Sequence, residues 1–200
     1  MKKVLIGCGV IGGVVLLIVL MFVMKAYGMY NNFVALDEAA SSQWGQVQNV
    51  YDRRLQLIPN LVATVKGYAS HEKDVLENVA AARSRVGQVN MQNLANDPNA
   101  QEAYIQAQGQ LSSALSRLIA VSENYPNLKA NENFLSLQSQ LEGTENRITV
   151  ERRKYQEAVQ AYNTAIRRFP GSVVAGFTGF HARAYFAADE RAASAPVVKF

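Results

Sequence analysis

The sequence predicts an all-α protein: one N-terminal transmembrane helix followed by an antiparallel bundle of three to four long, heptad-patterned helices. Three observations lead there. An uncharged run the length of a bilayer stands near the start of the chain; apolar residues then recur at steps of three and four through most of the remainder; and proline or glycine stands where such stretches end. With 200 residues, 49% of them hydrophobic and 18% charged, the chain is neither a disordered tail nor a charged rod.

The apolar run comes first. Val4 to Met24 are 21 residues without a charge, and as a helix they span roughly 31 Å, the thickness of a hydrocarbon core. A cleaved signal peptide has a shorter apolar region and a small-residue cleavage site, and Met24-Lys25-Ala26-Tyr27-Gly28 offers none. Leu5-Ile6-Gly7-Cys8 spells a lipobox, but it opens the apolar stretch where a lipobox closes one. The run therefore reads as an uncleaved signal anchor. Lys2, Lys3 and the α-amine on one side outweigh Lys25, followed by Asp37 and Glu38, on the other, so the N-terminus is expected in the cytoplasm and the rest outside it. Lys25, Tyr27 and Tyr30 are the expected interface anchors, and Gly9 and Gly13 form a GxxxG through which two spans can approach closely.

The first extramembrane stretch, about 30–88, carries Val47, Tyr51, Ile58, Leu61, Val65, Tyr68, Val75, Val79, Ala82 and Val86 at heptad steps. Pro59 sits inside it and cannot donate to the Leu55 carbonyl, which predicts a kink or a break there. A second stripe, Tyr104, Leu111, Leu118 and Tyr125, starts after Asp97-Pro98, a good cap with proline at the first helical position, and stops at Tyr125-Pro126. The third is the clearest: Phe134, Leu141, Ile148, Tyr155, Tyr162 and Phe169 recur every seven residues, predicting one helix over 131–169 that Pro170-Gly171 stops. The expected organisation is thus a cytoplasmic N-terminus (1–3), the signal anchor (4–24), the bundle (25–169) and an irregular tail (170–200). Gly171, Gly176 and Gly179 make that tail too glycine-rich for a stable helix. Phe177, Phe180, Tyr185 and Phe186 make it too aromatic for water, so they are expected to fold back on the bundle or to dock on another copy or the membrane surface.

Chemistry is sparse. Removing Lys2, Lys3 and Lys25 from the 20 basic residues leaves 17 against 16 acids, so no basic footprint for nucleic acid exists. Cys8 is the sole cysteine, and His71 and His181 are the only histidines; Tyr68 stands where a di-iron Glu-x-x-His would need its glutamate, and no cofactor is expected. No P-loop, GxSxG or HExxH occurs. The remaining candidates are Arg54, Glu72, Glu145, Glu151 and Arg152, charges on or beside the apolar stripes. They read as a polar seam that fixes helix register, or as the lining of a ligand pocket.

Several stretches together resemble the LemA family over nearly the whole chain. They include Tyr30-Asn31-Asn32-Phe33-Val34, Arg53-Arg54-Leu55-Gln56-Leu57-Ile58-Pro59-Asn60-Leu61-Val62, Tyr125-Pro126-Asn127-Leu128-Lys129-Ala130-Asn131 and Leu137 through Ile148. Gln56 and Gln156 depart from the family pattern, where an acid and an asparagine are usual. The resemblance implies a bacterial membrane protein with one span and a helical-bundle domain. It implies no established catalysis, in a family that includes members linked to magnetosome membrane formation. The expectation is a non-enzymatic, membrane-anchored scaffold or organiser that assembles with itself in the lipid bilayer and contacts other membrane proteins. The alternative is a ligand-binding or signal-sensing domain on the outer side of the cytoplasmic membrane.

Overall fold

The computed structural model describes residues 2–89, 94 and 97–186, with side chains described for all of these except 2–11 and Pro98. It is all-helical, and no strand occurs among the described residues. The elements are α1 (Lys2–Tyr68), α2 (Lys73–Gln88), α3 (Pro98–Ser122), α4 (Pro126–Lys129), α5 (Glu132–Arg167) and α6 (Gly171–Thr178). The chain divides into two compact units, one formed by Met1–Ala40 with Glu157–Arg183, the other by Ser41–Gln156 with Ala184–Phe200. α1 and α5 contribute a segment to each.

α1 opens with a stretch long and apolar enough to cross a membrane. From Val14 to Met24 every large apolar side chain is more than half exposed, so no described residue covers this run. The transmembrane stretch and the first amphipathic stretch are not separate elements: α1 is one helix of 67 residues, and Pro59 lies inside it. The Leu55 carbonyl, which Pro59 cannot satisfy, accepts instead from Arg83 Nε of α2 at 3.4 Å. The interruption falls at 69–72, where Gly67 and Ser70 weaken helix propensity and Glu72 N–H turns back to the Ala69 carbonyl. Tyr68, the heptad residue at that end, is consequently 45% exposed.

In the second unit the three stripes become the core. Trp44, Val47, Tyr51, Ile58, Leu61 and Val65 of α1 are buried, as are Val79, Ala82 and Val86 of α2. So are Tyr104, Leu111 and Leu118 of α3 and Phe134, Leu141, Ile148 and Tyr155 of α5. Each start and stop has a local cause. Asp97 Oδ1 accepts from the Asn99 and Ala100 N–H groups to cap α3. Asn131 Oδ1 accepts from Phe134 N–H at 3.0 Å at the head of α5, while its Nδ2 donates to Tyr68 Oη.

The first unit corrects two expectations. α5 ends at Arg167, and Phe169, the last heptad residue, is 79% exposed, because the residue before a proline is driven out of helical geometry. The tail is not wholly irregular either: α6 forms over Gly171–Thr178. It forms because Val174 and Ala175 gain a buried face against Phe33, Tyr162 and Ile166, and tertiary burial outweighs the weak propensity of Gly176. Gly171 is required there, since a Cβ would stand 2.5 Å from the Ala165 carbonyl oxygen. Gly179, at φ 77°, ends α6 in the left-handed region with its N–H on the Ala175 carbonyl.

Candidate functional site

Arg54 of α1 is 1% exposed, the one fully buried charge among the described residues. Heptad placement drives it inward, and α3 and α5 supply what it needs. Its Nη1 donates to Ser112 Oγ and to Glu145 Oε1, both at 2.6 Å. Its Nη2 donates to the Gln108 carbonyl at 3.2 Å and to Gln108 Oε1. Ser112 Oγ in turn donates a hydrogen bond to Glu145 Oε1 at 3.0 Å. Gln108 and Ser112 are four residues apart, so both face Arg54 from one side of α3. Glu145 is 40% exposed on its side chain, which leaves one end of the pair in solvent and lowers the desolvation cost of the ion pair.

Around this charge lies an aromatic cluster. The guanidinium sits 5.1 Å over the Tyr51 ring, which meets Tyr104 edge-on at 5.6 Å. Trp44 contacts Tyr104, Tyr155 and Phe186, and Gln101 Nε2 donates to Tyr155 Oη at 3.0 Å. Burial pushes the Tyr104 phenol up to about 12, with Gln108 opposing. Burial likewise raises Tyr51, against the pull of Arg152 and Arg54. These phenols are therefore neutral near pH 7 and unsuited to proton abstraction there. Trp44 Nε1, Arg54 Nε, Tyr104 Oη and Gln108 Nε2 are buried without hydrogen-bond partners.

The expected seam is brought together only in part. Arg54 and Glu145 pair, and Arg152 lies near enough to act on Tyr51 while its guanidinium covers the Phe186 ring at 4.7 Å. Glu72 accepts instead from Tyr125 Oη at 2.9 Å. Glu151 accepts from Lys154 Nζ at 2.8 Å and Gln43 Nε2 at 2.6 Å, and Lys154 first, helped by Gln43, holds its carboxyl below the ordinary value. Glu72 thus ties the turn at 69–72 to the junction between α3 and α4, and Glu151 ties α5 to α1. A surface groove of about 430 Å³ is lined by Asn60, Ala63, Thr64, Asn133, Ser136, Leu137 and Gln140, and Arg54 is not among them. Among the described residues no three His, Cys, Asp or Glu side chains gather as a metal site would need.

A second polar centre, in the first unit, has no counterpart in the sequence reading. Asn163 Nδ2 donates to the Arg183 carbonyl and Asn163 Oδ1 accepts the Arg183 N–H, both at 2.9 Å, a side-chain amide doing the work of a strand partner. Tyr162 Oη donates to the His181 carbonyl at 2.9 Å, and Arg183 Nε donates to Asp37 Oδ1 at 2.7 Å. Burial raises the Tyr162 phenol, Asp37 adding to it and Arg183 opposing.

The candidate assembly residues separate as well. Phe186 is 5% exposed against Trp44 and Tyr155, and Phe180 is half-buried against Phe33, Tyr30 and Tyr162. Both rings have aromatic partners in their own units. Phe177 and Tyr185 remain exposed at 88% and 47%. Gly13 has open space where a Cβ would stand, and Gly9 lies on α1 outside the residues whose side chains are described, as the tail beyond 186 lies outside the described residues altogether. Lys25, Tyr27 and Tyr30 all lie on the exposed surface of α1 just past the apolar run.

Comparison with known proteins agrees with this all-helical organisation. Magnetosome protein MamQ of Magnetospirillum gryphiswaldense is 27% identical over 194 residues, covering 88% of this chain and 71% of the relative. Magnetosome proteins MamQ 1 and MamQ 2 of Paramagnetospirillum magneticum are each 25% identical over 197 residues, covering 90% of this chain and 72% of theirs. The LemA family profile matches residues 43–200, and the chain belongs to the LemA family.

Proposed function

We propose that this protein is a non-enzymatic scaffold of the bacterial cytoplasmic membrane. In this reading it is anchored by α1 with its N-terminus in the cytoplasm, and it organises the membrane by assembling with itself. The observation that carries the reading is the continuity of α1, which joins an uncovered apolar run to heptad positions buried further along the same helix. A span so joined transmits association in the membrane to the helices outside it. We take those helices to be an antiparallel bundle, on the periplasmic or extracellular side, with Gly9 and Gly13 as the contact between spans. The relationship to magnetosome proteins supports a role at membranes. The test is the mass of the full-length protein in mild detergent, by light scattering on a sizing column, beside a Gly9→Leu/Gly13→Leu variant. A discrete oligomer that the variant dissociates is the expected result; a monomer in both overturns self-assembly.

A second reading, a ligand-binding or signal-sensing domain, is favoured by the four unpartnered polar atoms around Arg54 and Tyr104. It predicts that some small polar solute raises the melting temperature of the wild type but not of Tyr104→Phe. A panel in which no solute separates the two proteins would dispose of it.

A further inference from the structure

Eight-residue α6 is apolar on both sides. Its inner side, Val174 and Ala175, is buried, while Val173 and Phe177 point outward on one i, i+4 row, and Phe169, in the turn just before the helix, is exposed as well. A helix apolar all round is normally covered all round. Here the outer side is uncovered, and Phe177 at 88% exposure is the most exposed large apolar side chain in the described protein.

Where α6 sits decides what covers it. Its buried face, with Phe180, belongs to one cluster with Ala26, Met29, Phe33 and Leu36 of α1. Those residues begin two positions after Met24, the end of the apolar run. At 1.5 Å per residue they stand about 3 to 18 Å beyond the end of the run. The headgroup layer is about 5–7 Å thick on each side of the hydrocarbon core, and amphipathic helices lie at that boundary. Matching charge lies close by: Arg167 and Arg168 are exposed immediately before Phe169, and Lys25 is exposed on α1 next to Met24. Of the two acids further along α1, Asp37 is tied to Arg183, and Glu38 is exposed about 21 Å beyond the end of the apolar run. Tyr27, 70% exposed, stands at the same level.

We propose that α6 is a second membrane contact: the exposed side chains of Phe169, Val173 and Phe177 dock on the outer leaflet surface beside the span, with Arg167, Arg168 and Lys25 on the anionic headgroups. The occupant is the lipid surface itself, since the patch is continuous with the segment that enters the bilayer. This rests on the anchoring part of the proposed function, and the test keeps the two apart. Full-length protein carrying Cys8→Ser and Phe177→Cys, labelled with an environment-sensitive fluorophore, is reconstituted into phosphatidylcholine vesicles containing phosphatidylglycerol. Headgroup-proximal doxyl lipid should then quench the label by about twofold or more, and aqueous iodide should quench it weakly. Replacing Arg167 and Arg168 by glutamine, or raising the salt, should weaken the lipid quenching. A Val19→Cys label within the span is the companion probe. Lipid quenching at 19 with only iodide quenching at 177 overturns the docking and leaves the anchor intact. Shielding at 177 from both quenchers means protein covers it, a second copy included, and overturns the docking too. No lipid quenching at 19 overturns the anchor and the docking together. Val173→Cys repeats the measurement where labelling at 177 unfolds the helix by circular dichroism.

Discussion

Two arginines show how differently the two units spend their polar groups. In the second unit Arg54 lies within a helix, and its partners Gln108, Ser112 and Glu145 come from two other helices. In the first unit Arg183 lies on a segment without regular structure, held by Asn163, Asp37 and the Tyr162 ring face at 6.0 Å. Helical backbone is already satisfied, so the network around Arg54 is free to tie helix to helix and set their register. An irregular backbone has no such luxury. The side chains around residues 181–183 are occupied in supplying the hydrogen bonds that secondary structure would otherwise provide.

The largest effect that would test this contrast is at Arg54. Arg54→Ala should cost about 3–5 kcal/mol, because it removes a buried charge whose partners on two helices were arranged around it. Urea unfolding in detergent followed by circular dichroism measures it. Arg54→Met, which keeps the volume and leaves Glu145 able to turn to water, should recover most of the loss. Equal losses for the two variants would mean that pairing, not packing, is what Arg54 contributes.

Alkali comes next. The Tyr104 phenol rises from 10.0 to about 12 in the folded protein, so the folded state holds its proton more tightly than the unfolded chain. The associated stability is fully present below pH 10 and falls by about 1.4 kcal/mol per unit as the pH rises toward 12, roughly 3 kcal/mol in all. Tyr104→Phe should flatten this part of the stability–pH curve. The same slope persisting in the variant would assign it to Tyr51 and Tyr162, whose phenols burial also raises.

In the first unit Asn163→Ala removes both hydrogen bonds to Arg183. It should cost about 2 kcal/mol and, more tellingly, open the chain near Arg183 to trypsin while the far-ultraviolet spectrum is unchanged. Trypsin resistance equal to wild type would show that the remaining ties, Tyr162 to the His181 carbonyl and Arg183 to Asp37, hold the segment without Asn163. The smallest expected effect is the Asp37–Arg183 pair, whose partners are 32% and 11% exposed. A double-mutant cycle with Asp37→Asn and Arg183→Gln should give a coupling of about 1 kcal/mol or less, reduced by salt.

What the sequence by itself determined is what depends on neighbours three, four and seven residues away. The apolar run, the stripes through Val47–Val86, Tyr104–Leu118 and Phe134–Tyr162, the Asp97 cap and the stop before Pro126 are all short-range. They can be read because helix periodicity and backbone sterics act locally. Pro59 was locally ambiguous, and the carbonyl of Leu55 that it leaves without a helical donor is met by Arg83, 28 residues on. Gln108 and Ser112 carried a faint signal, a polar i, i+4 pair beside the buried positions Ala107 and Leu111. Asn163, next to a heptad tyrosine, carried none that separates it from a solvated polar residue. Asp37 and Arg183 are 146 positions apart, and no local pattern links them. Tertiary structure alone decided which partner each charge took, that Phe186 would face in, and that a glycine-rich stretch would become α6. Each of these turns on burial and pairing between segments distant in the chain, and such energies exceed the small local propensities that a sequence displays.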